Sequence, residues 1–379
     1  MSAARMLEVA HLRVETIEDS AVFAGLRQEW TGLLEGQDFF RTWEWLHTWW
    51  KHLSPDGARL AIVTVRQGAE LLAIAPLLST AHHLGLGRLT FLGTGRAGSD
   101  YLDVIVRPGA GPDVIPSLAG HLARPRAVLD MPQVAVATSA AMGLARELCR
   151  AGGSLRATST HVCPFIDLRG RTWESYLGSL GSEHRYNFQR RRRKLETQHH
   201  LRFERVSSEE RRRELLPVLF ELHRLRWSER GGSDGLDGHG IAAFHEELSR
   251  LALERGWLRL FVLWLGSSPA AALYGFRYGS VFYFYQSGFD PAYRKLSVGL
   301  VAMGLAIQSA IEEGASTFDL LHGEEAYKSH WAKEARTLER IVVYPPGLRG
   351  RLSRGEEVAA QAARGLMRRI RRGDAAQSR

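Results

Sequence analysis

The chain of 379 residues is longer than one hydrophobic core of common size, so two domains of roughly 150–200 residues are expected. At 45% hydrophobic and 24% charged residues it has the composition of a globular protein, which excludes wholesale disorder. The net charge of +9 resembles a nucleic-acid signature only until it is mapped: residues 185–194 carry six basic residues and no acid, residues 346–379 carry a net +6, and the remainder is −3.

No apolar run approaches the roughly 20 residues that span a bilayer. The opening stretch MSAARMLEVAHLRVE lacks the apolar core of a secretory signal. Cys149 and Cys163 are the only cysteines, too few for a disulfide framework or a thiolate zinc cage, and a cytoplasmic protein is expected. Basic residues divide into 45 Arg and five Lys (51, 194, 295, 328 and 333), and only a Lys can become a neutral amine near pH 7.

In chain order, residues 12–17 alternate as a strand and an apolar-periodic stretch from Ala21 to Leu34 reads as helical. Residues 59–78 predict two strands around a turn at Gln67-Gly68. The segment SDYLDVIV alternates like a strand, Val114 to Leu122 like a helix, and AVLDM is an apolar run. A helix over 171–199 is expected next. The order then repeats: strand 201–206, helices 209–226 and 241–255, and three strands broken at Gly266 to Pro269 and at Gly279-Ser280. A helix from Val298 to Glu313 follows, closed by Gly314 as C-cap, and then the strand STFDLL. The reading is two copies of one α/β module. Past Pro345-Pro346 the chain is expected to leave the body, with a short basic helix over 356–372.

Several motifs fail for want of context. Gly93 to Gly98 matches G-x-G-x-x-G, but a dinucleotide site needs a helix directly after it, and a strand pattern follows. His245 to Ser249 begins like H-E-x-x-H, yet Ser249 stands where the second ligand belongs, so no metal is expected. FFRTWEWLHTWW, residues 39–50, has its aromatics at helical spacing and reads as core. His82-His83 and His199-His200 read as solvated. The loop Gly231 to Gly240 is Gly-rich enough to close over a substrate or to be plain surface.

Residues 283–331 are the most informative. An aromatic strand ends at Gln286-Ser287-Gly288, a short loop carries Arg294 and Lys295, and an apolar helix begins near Val298. Free N–H groups and the dipole at such a helix start attract phosphate. Ser297 and Gly299 are small enough to let a ligand approach the backbone. A solvated basic pair on an ordinary turn fits the same spacing.

This order resembles the acetyltransferases of the GNAT superfamily. There a Q/R-x-x-G-x-G/A loop and the helix after it bind the pyrophosphate of acetyl-CoA. Arg294 and Gly299 match that loop, while Ser297 replaces its first glycine. Asp319, Leu320, Gly323, Tyr327, Lys328 and Trp331 resemble the D-F/L-x-x-G-x-x-x-Y-K-x-x-W signature of the CelD/BcsL-type acetyltransferases, which are similar to the Fem-type peptidyltransferases. The resemblance covers most of residues 10–345, with its distinctive motif in 283–331. It implies two tandem GNAT-like domains, each a mixed α/β sheet flanked by helices. An acceptor-side domain spans 1–168, a linking helix 169–200, an acyltransferase domain 201–345 and a basic tail 346–379.

What the resemblance implies about chemistry follows from acyl transfer to an amine. The amine must attack neutral, the carbonyl needs a donor for its developing charge, and the leaving group needs a proton. Acetyl-CoA or another acyl-CoA would be held by Ser287, Gly288, Arg294, Lys295, Ser297 and Gly299. Lys328 would stabilise the reaction intermediate, the role implicated for the matching Lys of Fem-type enzymes. Asp319 would orient the acceptor or take its proton, with His322, Glu324 and Glu325 as other bases; a structural Asp319–Lys328 ion pair stays open. The first module lacks a basic phosphate loop, so the acceptor is expected between modules, lined by Asp100, Tyr101, Asp103 and Tyr327. The resemblance points to an amino sugar or another amine of cell-surface polysaccharide metabolism. Two rivals stand beside it: a Fem-like transferase that takes its acyl group from aminoacyl-tRNA through the Arg190–Lys194 run, and a non-catalytic accessory protein. The tail, with Leu366, Met367 and Ile370 among arginines, suits weak contact with an anionic membrane surface or plain solvation.

Overall fold

The computed structural model describes residues 11–377 except 35, 37, 125, 126, 229–235, 237 and 324. Most of the Gly231–Gly240 loop and Glu324 therefore lie outside the described residues. In the first half the elements are β1 (Leu12–Ile17), α1 (Ser20–Gly25), α2 (Arg27–Leu34), α3 (Trp43–Leu53), β2 (Arg59–Leu60), β3 (Ile62–Gln67), β4 (Glu70–Ala75), β5 (Leu77–Ala81), β6 (Gly87–Phe91), β7 (Ile105–Val106), α4 (Val114–Leu122), β8 (Ala127–Val134), α5 (Ala140–Arg150) and β9 (Ser154–Asp167). Then come α6 (Trp173–Ser179), α7 (Ser182–Gln198), β10 (Leu201–Arg205), α8 (Glu209–Ser228), α9 (Ile241–Glu254), β11 (Leu258–Leu265), β12 (Ser268–Tyr278), β13 (Val281–Phe289), α10 (Val298–Glu312), β14 (Thr317–Asp319), α11 (Lys328–Trp331), β15 (Glu334–Tyr344) and α12 (Leu348–Gln377).

One motif occurs twice. A strand, two or three helices and three antiparallel strands give β1-β3-β4-β7 in the first half and β10-β11-β12-β13 in the second. The second set continues through β14, β9, β15, β8, β6 and β5 to β2 as one eleven-stranded sheet. Strand β9 pairs with β14 on one side and β15 on the other, and β15 pairs with β8, so the modules share a sheet rather than merely touching.

The aromatic segment 39–50 is core, as its spacing suggests. Trp45, Phe39 and Phe40 are fully buried, and Phe39 stacks on Phe276 of the second module at 4.1 Å between centroids. Glu44, buried between the modules, is bridged by Arg27 and Arg255.

Four expectations are corrected. The helix over 171–199 is two, because Thr172 caps α6 with a reciprocal Ser175 bond and the chain turns at Leu180-Gly181 before α7. The stretch 21–34 is likewise two helices, broken at Leu26. Of YLDVIV only Ile105–Val106 is strand, since Tyr101 takes a left-handed φ of 56°. The chain past Pro346 stays on the body: α12 begins at Leu348, Ser353 is buried, and Glu357 is held by Tyr344 and Arg340. No helix among the described residues is long and apolar enough to cross a membrane.

Candidate active site

The site begins where two parallel strands part. β13 and β14 pair only from Val281 to Tyr283, against Thr317 to Asp319. β13 then runs on to Phe289 without that partner. Against β12 the register slips so that Tyr274 faces Gln286 and Gly275 faces Phe284, leaving Tyr285 as the extra residue of a bulge. The bulge aims Tyr285 at the first module, where its hydroxyl donates to the Ala97 carbonyl at 2.7 Å.

The opening beside β13 is a cavity of about 370 Å³. Its apolar wall includes Ala272, Leu273, Phe289, Leu300, Met303 and Trp331, and its polar lining residues are His184, Asn187, Arg226, Ser287, Tyr327 and His330. The N-terminus of α10 opens on it through Gly299 and Leu300. Ser297 is the N-cap at φ 58°, ψ 41°, and its side chain makes no capping bond. The first-turn N–H groups have no acceptor within the helix, and the positive end of its dipole lies there. Arg294 and Lys295 are exposed on the short helical turn just before, and Arg191 of α7 donates to the Lys295 carbonyl at 2.9 Å. Gly288 is explained by packing: a Cβ there would lie 2.2 Å from the His223 backbone nitrogen of α8.

A second cavity, about 580 Å³, lies between the modules. One wall is the loop Gly95 to Gly98; the other includes Trp227, Tyr285, Gln286, His322, Glu325 and Lys328. The glycine loop is locked at its ends. Trp45 Nε1 donates to Ser99 Oγ at 2.8 Å, Ser99 Oγ donates to the Gly93 carbonyl, and a Cβ on Gly93 would meet Leu46 at 2.9 Å. The cavities share Arg226, Ser287 and Tyr327. Arg226 donates to Ser287 Oγ at 2.6 Å, with its guanidinium 5.8 Å from the Tyr327 ring centre.

Behind the second cavity runs a buried polar network that crosses the modules. Tyr101 donates to Asp319 Oδ2 at 2.7 Å, Arg336 donates to the same oxygen at 2.8 Å, and the Leu321 backbone N–H donates to Oδ1 at 2.9 Å. Burial, working against these donors, pushes the Asp319 carboxyl up to about 7. Asp100, fully buried, accepts from the His322 backbone N–H at 2.9 Å and meets His322 Nδ1 at 2.7 Å. Lys328 Nζ donates to the His322 carbonyl at 2.7 Å and the Leu321 carbonyl at 3.3 Å, and lies 3.0 Å from Glu325 Oε2. It is paired with Glu325, not with Asp319.

Of the residues singled out in the sequence, Gly288 and Gly299 line the first cavity, Lys328, His322 and Glu325 the second, and Ser287 and Tyr327 both, while Arg294, Lys295 and Ser297 lie beside the first without lining it. Asp319, Asp100 and Tyr101 stand behind the second cavity and line neither. Asp103 lies apart: it accepts from the backbone N–H groups of Ala140 and Ala141 at the start of α5, and burial raises its carboxyl to about 6. Arg226, Trp227, Tyr285, His184 and the 95–98 loop are additions. Arg226-Trp227 at the end of the highly charged helix α8 was the one available signal for the first two. Among the described residues no group of three or more His, Cys, Asp or Glu is placed to hold a metal.

Residues 182–329 match the model of the acetyltransferase (GNAT) domain. That span contains α10, the β13–β14 opening and Lys328, and this part of the chain is similar to a GNAT acetyltransferase domain. Among solved structures, FemX is similar at 13% identity over 90% of this chain and 99% of that one, with a TM-score of 0.62. The C-terminal domain of a putative lysylphosphatidylglycerol synthetase from Agrobacterium fabrum is similar at 12% identity, covering 86% of this chain and 94% of that one, with a TM-score of 0.55. These likenesses are of fold. No curated protein sequence matches the chain. The architecture is two tandem GNAT-like domains.

Proposed function

We propose that the protein takes an acyl group from acyl-CoA, held in the cavity beside α10, and passes it to an amine held between the modules. The observation that carries this reading is the meeting of the two cavities at Arg226, Ser287 and Tyr327. One cavity has an uncapped helix start and a mostly apolar wall, which suits a phosphate joined to a thin, largely apolar arm. Arg294 and Lys295 would add charge-assisted hydrogen bonds to its phosphates, Ser297 would leave the α10 N–H groups open, and Gly299 would let them come close. A bound acyl-CoA supplies a thioester carbonyl. Lys328 would place positive charge beside the reacting centre, held there by two backbone carbonyls and Glu325. Asp319 would act from behind, fixing the turn at Leu321. The acceptor class implied by the CelD/BcsL resemblance, an amino sugar or another amine of surface-polysaccharide metabolism, suits a cavity walled by Trp227 and polar groups. Acyl-CoA as donor would set the reaction in the cytoplasm.

A second reading, transfer from aminoacyl-tRNA, is favoured by one feature: Arg190, Arg193 and Lys194 are exposed along α7 beside the donor cavity. The test is thiol release from acyl-CoAs of increasing chain length with a panel of amines and amino sugars, run beside aminoacyl-tRNA at two salt concentrations. Amine-dependent thiol release is the expected result. Transfer from aminoacyl-tRNA alone, weakened by salt, would replace the first reading with the second.

A further inference from the structure

We infer that His322 is the group that accepts the proton of the attacking amine, and that Asp100, supplied by the other module, is the positioning residue that fixes its tautomer. This rests on the two-cavity reading above and adds to it which group does the proton chemistry.

Geometry separates His322 from its rivals. Asp319 is fully buried and lines neither cavity. Glu325 lines the same cavity and is 32% exposed, but its Oε2 is ion-paired with Lys328 at 3.0 Å, and Lys328 is itself committed as a donor to two carbonyls. His322 lines the between-module cavity and keeps 30% of its side chain exposed. Its Nδ1 faces Asp100 Oδ1 at 2.7 Å, while Asp100 Oδ2 accepts from the His322 backbone at 2.9 Å and from Cys163 Sγ at 3.6 Å. A carboxylate can only accept, so the hydrogen of the neutral ring sits on Nδ1 and the lone pair on Nε2, at the far edge of the ring.

The backbone is built to hold this arrangement. Leu321 and Gly323, on either side of His322, have φ of 54° and 136°. Asp319 holds the Leu321 N–H, and Lys328 holds the carbonyls of Leu321 and His322. A Cβ on Gly323 would lie 2.2 Å from Glu325 Oε2 and 2.6 Å from Lys328 Nζ. Such a backbone persists only where its surroundings dictate it, and it clusters at functional sites.

The charged and titratable groups facing the ring are Asp100, Glu325 and Lys328, with the His161 ring 4.7 Å away. Burial and Lys328 disfavour the imidazolium. The hydrogen bond and charge of Asp100, helped by Glu325, outweigh them, and the affinity for a proton is raised above the ordinary 6.5. As the pH rises through that raised value His322 becomes the neutral base, so activity rises along an acid limb and then levels. In the step itself one N–H bond of the amine breaks and Nε2 gains the proton. The amine lone pair forms the new bond to the acyl carbon, and the bond from that carbon to its leaving sulfur breaks. The sulfur then takes up a proton, from His322 or from water.

The test uses the full chain with ¹³C-labelled histidine. In wild type one histidine resonance, absent in His322→Gln, titrates above the ordinary 6.5, and in Asp100→Asn it moves down. The acid limb of kcat/KM moves with it. His322→Ala lowers kcat by about 10²- to 10⁴-fold, leaves acyl-CoA affinity unchanged, and is partly restored by added imidazole. If Asp100→Asn does not fold, the cavity-facing His322 variants carry the test alone. Wild-type rates and pH profile in His322→Gln, with transfer intact, overturn the proton-acceptor role and leave the two-cavity reading standing. Absence of transfer by wild type from every acyl-CoA overturns both.

Discussion

The two modules end their fourth strand in opposite ways. In the second, β13 runs to Phe289, well past its pairing with β14, and the start of α10 faces the opening that results. In the first, the equivalent β7 is two residues long, and β8 pairs in parallel with β6 of an inserted hairpin instead. The same order of elements thus pairs β13 with β14 in one copy and places β7 and β8 in different sheets in the other. The first module turns its freed chain, residues 93–104, into a wall of the cleft and the source of Asp100 and Tyr101. On the proposed reading, duplication separates donor binding from the wall that faces the acceptor.

The contrast can be broken most sharply at Lys328. Lys328→Ala removes the charge beside the junction of the cavities and frees the Leu321–Gly323 turn. A loss of about 10²- to 10⁴-fold in kcat is expected, with donor affinity kept. Activity within a few-fold of wild type would return Lys328 to a structural role.

Two left-handed residues, Tyr101 of the first module and Ser297 of the second, sharpen it next. Tyr101→Phe deletes a donor to a buried carboxyl, and denaturant titration should show a loss of about 1–3 kcal/mol. Ser297→Gly should do the reverse. The left-handed penalty of about 1–2 kcal/mol exceeds the extra chain entropy of glycine, about 0.5–1, for a net gain of about 0.5–1 kcal/mol.

Each module also buries one carboxyl whose proton affinity is raised, Asp103 to about 6 and Asp319 to about 7. The folded state holds the proton more tightly than the unfolded one. The stabilisation is therefore complete below about pH 4 and is lost as pH rises through those values. Melting temperature followed from pH 4 to 8 should fall less steeply in Asp103→Asn up to pH 6, and in Asp319→Asn up to pH 7. Unchanged slopes would mean that the ordinary carboxylates are retained. The smallest effect is expected on α7: Arg190→Gln with Arg193→Gln should change stability by less than about 0.5 kcal/mol. It should leave acyl-CoA binding unchanged and weaken any tRNA binding.

The second module was the more legible in sequence. Its strands are apolar and alternate, and β11, β12, β13 and α10 fall where the pattern puts them. Strand β9 gave no such signal, because SLRATSTHVCPFID is polar along the face that meets solvent. The strand pattern of YLDVIV misled because Leu102 and Val104 are buried in irregular chain as completely as they would be in a sheet. Asp100 and His322 were both visible as candidates, but their pairing was not. It exists only because β9 and β15 stitch the modules together, and no local pattern encodes a contact made by docking. Arg226 and Trp227 were missed for the related reason that a helix end shows its purpose only beside the strand it covers.

The central claim is that the donor binds at the α10 start of the second module. Isothermal titration of acetyl-CoA into wild type and Gly299→Trp tests it most directly. Gly299 is exposed, helical and on the cavity wall, so the indole fills the site without straining the backbone. Binding by wild type and its loss in a variant of unchanged melting temperature is the predicted result. Equal binding by both proteins, or no heat with wild type at any acyl chain length, would contradict the account.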